Sequence, residues 1–108
     1  MADTQTTTTS FNELINGDIP VLADFYADWC GPCKMMNPIL KNLKKKMGDS
    51  INIIKIDAEK NADAAIRYQV RGVPTLILFK NGRILWQQAG VVQLPQLESI
   101  INQKLSEQ

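Results

Sequence analysis

The chain contains no histidine. Ser-His-Asp and Cys-His nucleophile schemes and every His-ligated metal site are therefore excluded. Proton transfer near neutral pH falls to a shifted thiol, carboxyl or lysine. Only two cysteines are present, Cys30 and Cys33. They fall short of the four ligands of a structural zinc site, so no metal is expected. No apolar run approaches the ~18 residues of a membrane span. Met1-Ala2-Asp3-Thr4-Gln5 is polar, with no apolar stretch behind it, so neither a secretory signal nor a membrane association is expected. An excess of either charge is also missing: 12 basic against 11 acidic side chains leave +1. A nucleic-acid binder normally carries a clear basic surplus, and no such partner is expected. Lys44-Lys45-Lys46 fits the last turn of a helix, where cations complement the dipole. The expectation is a soluble, monomeric, cytoplasmic protein.

With 108 residues, 44% of them hydrophobic, the chain has material for one core, and it reads as a single domain over 1–108. Its Thr-rich segment, 1–9, shows no periodicity; it suits either a short edge strand or a mobile tail, and much of it is expected to be mobile. Ser10-Phe11-Asn12-Glu13 fits a capping box with Ser10 as N-cap, opening a short helix that stops at Gly17. Val21 to Ala27 is apolar almost throughout, as in a strand buried on both faces. From about Cys33 the period becomes helical, with Met35, Met36, Ile39, Leu40, Leu43 and Met47 on two adjacent ridges. Pro38 sits inside that helix, where it should cost a backbone hydrogen bond and bend the axis, and Gly48 ends it. Ile51 to Asp57 predicts a second interior strand, and Ala62 to Tyr68 a short helix capped by Asn61. Thr75 to Lys80, Asn81-Gly82 and Arg83 to Ala89 predict a hairpin. A helix from Leu94 to Leu105 follows, with Pro95 in its first turn. The sum is an α/β fold: a mixed central sheet, parallel in its first half and closed by an antiparallel hairpin, with helices on both faces.

The chemistry concentrates where the first interior strand gives way to a helix. Cys30 and Cys33 stand three apart, so on a helix's first turn both sulfurs leave from one side. Their Cα atoms should lie roughly 5 Å apart, inside disulfide range. A loop this short stabilises a fold only weakly, so the pair is poorly explained as a staple. Reversible dithiol–disulfide exchange explains it better. Cys30 falls at the helix start, where free N–H groups and the positive dipole end favour a thiolate. In C-x-x-C motifs such thiols are held at about 3.5–7.5. Gly31 admits a close chain, Pro32 stiffens the turn, and Trp29 is either an apolar shelf beside the thiol or an ordinary core tryptophan. Asp24 lies in a doubly buried strand, where burial raises its pKa. It is either bonded to neighbouring backbone or free to act as a base. Lys55 is either its ionic partner or an edge-facing lysine.

Trp29-Cys30-Gly31-Pro32-Cys33-Lys34 resembles the active-site motif of the thioredoxin family. Asp24-Phe25-Tyr26-Ala27, Pro38, Lys55, Arg71-Gly72-Val73-Pro74-Thr75, Phe79-Lys80-Asn81-Gly82 and Gly90 match in order and spacing, so the likeness spans about 10–105. Tyr26 and Asp28 depart from the commoner tryptophan and glutamate. The resemblance implies a thioredoxin-like three-layer sandwich and a protein-disulfide reductase. It gives Cys30 as nucleophile, expected to be exposed at the helix tip, Cys33 as resolving thiol, expected to be buried one turn in, Asp24 as proton acceptor for Cys33 and Lys55 as its partner. It makes Pro74 a cis-proline facing the disulfide, with Val73 offering backbone hydrogen bonds to an extended substrate. Trp29, Gly31, Pro32, Val73, Pro74, Gly90 and Val91 would line the docking surface. No bound cofactor is implied beyond the redox-active disulfide. The Rossmann glycine fingerprint is missing. Electrons would come from a separate thioredoxin-reductase-type flavoprotein and pass to many disulfide-containing proteins. An oxidant or isomerase on the same fold, and a structural subunit, are the rival readings.

Overall fold

The computed structural model describes residues 8–108, with side chains from Phe11 onward. The Thr-rich stretch up to Thr7 lies outside them. The element order is α1 (Thr8–Ile15), β1 (Val21–Tyr26), α2 (Gly31–Met47), a 3₁₀ turn (Gly48–Ser50), β2 (Asn52–Asp57), α3 (Ala62–Arg67), β3 (Thr75–Lys80), β4 (Arg83–Ala89) and α4 (Leu94–Ser106). The sheet runs β2-β1-β3-β4, with β1 parallel to β2 and antiparallel to β3, and β3 antiparallel to β4. This is the thioredoxin-like arrangement.

Period-two alternation in β1 and β3 divides the interior into two layers. Leu22, Leu76 and Leu78 face one side, against Met36, Leu40 and Leu43 of α2 and Leu97 and Ile101 of α4. Val21, Ala23, Phe25, Ile77 and Phe79 face the other, against Phe11 and Ile15 of α1. There Phe11, Tyr68 and Phe79 meet edge to face, with centroids 5.2–5.9 Å apart. Each such side chain, fully buried, contributes about 1.5–3 kcal/mol. The central pair β1–β3 is therefore held from both faces, and it carries the strand end from which the cysteine loop departs.

Three local expectations change. The first helix begins at Thr8, so Ser10 lies inside it and is not its N-cap. β2 is an edge strand among the described residues, and its first half is only half-buried. Its isoleucines pack inward while its outer rim meets solvent, which is why a lysine fits there. Asn61 does precede α3 but makes no side-chain cap; its Nδ2 donates instead to the carbonyl of Asp57 at 3.0 Å.

Other local signals hold. α2 runs through Pro38 without a break, and the N–H of Gly48 closes it on the Lys44 carbonyl. Asn81 and Gly82 take φ of +54° and +77°, the left-handed pair of a two-residue hairpin. Their N–H groups donate to the carbonyls of Gly17 at 2.9 Å and Ile15 at 2.7 Å, tying the turn to the end of α1. Trp86 pairs with Leu78 across the hairpin and packs half-buried on the α2–α4 layer. No helix among the described residues is long and apolar enough to cross a membrane.

Candidate active site

Tyr26 ends β1, and a turn closed by the N–H of Cys30 on the Ala27 carbonyl, at 3.2 Å, leads into α2. Cys30 is the N-cap of that helix, in extended backbone. Cys30 and Cys33 form a disulfide with Cα atoms 5.3 Å apart, as their spacing requires. The Sγ of Cys30 also accepts a hydrogen bond from the N–H of Cys33 at 3.1 Å. A helix terminus favours an anion by about 0.3–1 kcal/mol. A hydrogen bond to a charged acceptor is worth roughly 1.5–3 kcal/mol. The direct N–H is thus the larger of the two influences on a Cys30 thiolate.

Cys30 is not the exposed member of the pair. Both cysteines are 3% exposed, packed with Ala27 and flanked by Tyr26 and Val73. The cover comes from Val73, whose carbonyl oxygen lies 3.7 Å from the Cys30 Sγ. Val73 precedes a cis peptide bond to Pro74. That loop is pinned twice: the Thr75 hydroxyl donates to the Gly72 carbonyl at 2.6 Å, and the Gly90 N–H donates to the Pro74 carbonyl at 2.8 Å. Gly90 has φ of +96°, which disfavours any side chain there. No neighbour lies within contact of the open side of Gly31, Gly72 or Gly90, so none of the three is required by an approach inside the molecule. Pro32 is exposed, Pro74 is buried, and Val91 packs half-buried on the α2–α4 layer.

Trp29 is 70% exposed and is no core tryptophan. Its indole N–H donates to Glu59 Oε2 at 2.8 Å. Glu59 stands where it does because of Asp57. One carboxylate oxygen of Asp57 accepts the N–H groups of Glu59 at 2.9 Å and Lys60 at 3.1 Å, and the Ala58 N–H bonds the Tyr26 carbonyl. Sequence reasoning missed Glu59: a lone acid thirty residues from the tryptophan carries no motif.

Asp24 is fully buried in the middle of β1, and neither carboxylate oxygen has a hydrogen-bond partner. The backbone-bonded alternative is thereby removed. Desolvation pushes its pKa from the usual 3.8 up to about 6, with the positive charge of Lys55 opposing the rise. That shift is roughly 3 kcal/mol of preference for the protonated form. Lys55 is Asp24's register neighbour on β2, but it is exposed and makes no contact pair with it. Its ammonium donates to Asn37 Oδ1 at 2.6 Å and sits 4.6 Å from the centre of the Tyr26 ring. Among the described residues, no group of His, Cys, Asp or Glu is placed to hold a metal.

A vicinal cysteine pair bonded across the first turn of a helix, on a sheet of this topology, defines a thiol–disulfide oxidoreductase. The thioredoxin family model matches residues 3–103. A thioredoxin of Porphyra purpurea is 40% identical over 98% of this chain and 100% of that protein. A thioredoxin of Haemophilus influenzae is 40% identical over 85% of this chain and 86% of its own. Chloroplastic thioredoxin Y of Oryza sativa is 48% identical over 84% of this chain, which spans 55% of that longer protein. Among solved structures, a mutant thioredoxin from Halobacterium salinarum superposes with a TM-score of 0.83 at 36% identity, covering 92% of this chain and 86% of its own. Oxidised mitochondrial thioredoxin 3 of Saccharomyces cerevisiae gives 0.79 at 34%, covering 90% and 91%. The chain belongs to the thioredoxin family, and Cys30–Cys33 is its redox pair.

Proposed function

We propose that the protein carries electrons to protein disulfides by a two-step exchange. In the reduced form the Cys30 thiolate attacks one sulfur of a substrate disulfide. An S–S bond forms to Cys30 and the first substrate thiolate leaves. Cys33 then loses its proton to Asp24 through a water, and its sulfur attacks Cys30 Sγ. The second substrate thiolate departs and the Cys30–Cys33 disulfide remains. Two electrons pass to the substrate, and two protons complete its thiols.

The observation that carries this reading is the bond from the Cys33 N–H to Cys30 Sγ, which is placed to stabilise negative charge on that sulfur once the disulfide opens. Asp24 suits the second step because, with a pKa of about 6, it is mostly ionised at neutral pH yet basic enough to accept a proton. An extended substrate segment would pair with the backbone of Val73, beside Trp29, Pro74 and Val91. The open space at Gly31, Gly72 and Gly90 leaves room for it. The recycling donor is a thioredoxin-reductase-type flavoprotein, and the working compartment is the reducing cytoplasm. Only the redox cysteines are present, which fits such a compartment.

The test is reduction of a protein disulfide by the chemically reduced chain. Cys30→Ser should lose at least ~10³-fold, and Cys33→Ser should accumulate a mixed disulfide with the substrate. Turnover by Cys30→Ser at the wild-type rate would sink the assignment.

A further inference from the structure

We infer that Asn37 is a positioning residue for this reaction: its hydrogen bond holds the Lys55 ammonium beside the Asp24 strand and so sets the pH range over which Asp24 exchanges its proton. The inference rests on the reading of Asp24 as the proton acceptor.

The geometry begins with register. Asp24 and Lys55 are Cα partners on adjacent parallel strands, so their side chains leave the same face of the sheet. Asn37 sits on α2 one turn beyond Cys33, at i+4, over that face. The ammonium of Lys55 is held between two neutral acceptors, the Asn37 amide oxygen and the face of Tyr26. Neither cancels its charge. Asp24 has no hydrogen bond of its own, so the field of nearby charges is what remains to oppose desolvation.

The elements packed around Asp24 carry other titratable and charged groups, none of which replaces Lys55. Tyr26 and Asp28 come from β1 and the loop after it, and Asp57 from β2. α2 contributes the cysteine pair, Lys41 and Lys44. β3 places Leu76 beside Asp24, and Glu98 of α4 pairs with Lys46. The Lys44 ammonium is engaged by the Ile51 carbonyl at 2.6 Å.

The direction of the effect follows from the groove that Asn37 and Lys55 border. It is open, has a volume of about 360 Å³, and is otherwise lined by Leu40, Lys41, Lys44 and Ile53. Among the described residues, no carboxylate lines it. A Lys55 released from Asn37 meets two like charges along the groove and water outside it. The desolvated region around Asp24 would strip its hydration. The freed ammonium therefore moves outward, and Asp24 becomes harder to ionise.

The experiment follows the Asp24 carboxyl carbon by NMR against pH in the oxidised wild type, Asn37→Ala, Lys55→Met and the double variant. Position 37 is an exposed helical site, where alanine is well tolerated. Asn37→Ala should raise the Asp24 midpoint by a few tenths to about one pH unit. In the Lys55→Met background the same change should do nothing further. No shift, a downward shift, or an equal shift with Lys55 already gone would each overturn the inference. The pH dependence of mixed-disulfide resolution, measured on the same variants, separates the two readings. A carboxyl that moves while the rate profile stays fixed shows that Asn37 holds Lys55 against Asp24 but counts against Asp24 as the proton acceptor, and so overturns a role for Asn37 in the reaction.

Discussion

The indole N–H of Trp29 donates to the carboxylate of Glu59, joining the loop before the redox cysteines to the loop after β2. The bond fixes a mostly exposed ring in one orientation beside the disulfide. Glu59→Ala should leave the ring free to rotate. KM for a protein disulfide should rise about two- to fivefold with kcat little changed, as expected when an exposed, solvent-screened hydrogen bond to a charged group is lost. A fall in kcat at constant KM would contradict a docking role for the ring. Tryptophan fluorescence anisotropy on the same variant reports the ring's freedom directly.

Asp24 makes stability depend on pH with a definite sign. Its folded pKa of about 6 exceeds the ordinary 3.8, so the folded state binds the extra proton between those values. The contribution is fully present below pH ~4 and is lost as pH rises through ~6. Asp24→Asn keeps the shape and removes the titration. The variant should gain on the wild type across that window, reaching roughly 2–3 kcal/mol at pH 8. Denaturant unfolding of the oxidised proteins at several pH values checks this, and a constant difference between pH 4 and 8 would contradict it.

In the reduced protein, Cys30 should titrate well below the ~8.5 of a free thiol. The Cys33 N–H stays available to its sulfur when the disulfide opens, because it belongs to the first turn of α2. The rate of alkylation of Cys30 against pH, measured in a Cys33→Ser variant, gives the midpoint. A value above about 8 would remove the helix start as the source of reactivity.

Phe79 is packed against Phe11 and Tyr68 on the face of the sheet away from α2. Phe79→Ala should cost about 3–5 kcal/mol of folding stability. The redox reaction should survive at temperatures where the variant is folded, since the site lies at the other end of β1 and β3. Calorimetry and the reduction assay on one sample test both halves of that statement.

The residues differ in how far they announced these arrangements. Val21 to Tyr26 and Thr75 to Lys80 were legible because a doubly buried strand is apolar throughout, and Asn81-Gly82 because few other pairs tolerate two left-handed residues. The cysteine pair at a strand-to-helix junction spoke for its own chemistry. β2 reads from its isoleucines as an interior strand, and its place at the edge of the described residues follows only from the order of strands in space. Ser10 misled because a capping box is a local pattern, and the helix starts two residues earlier. The burial of Cys30 is supplied by Val73, 43 residues away, so no local pattern could reveal it. Glu59 and Asn37 had no signal. Each acts through one partner brought near by the fold, and the cis bond at Pro74 was accessible only through the family resemblance.

The hairpin turn bears on how the protein ages. Asn-Gly is the dipeptide most prone to deamidate, because the glycine nitrogen can attack the asparagine side-chain carbonyl with little steric hindrance. In this fold the nitrogen of Gly82 is engaged by the Ile15 carbonyl at 2.7 Å, and that of Asn81 by Gly17. Cyclisation would require breaking the turn away from α1. Stored folded protein should therefore retain Asn81 far longer than the same segment as a free peptide, a comparison that mass spectrometry makes directly. The bonds that position the turn also give it a chemical shelf life.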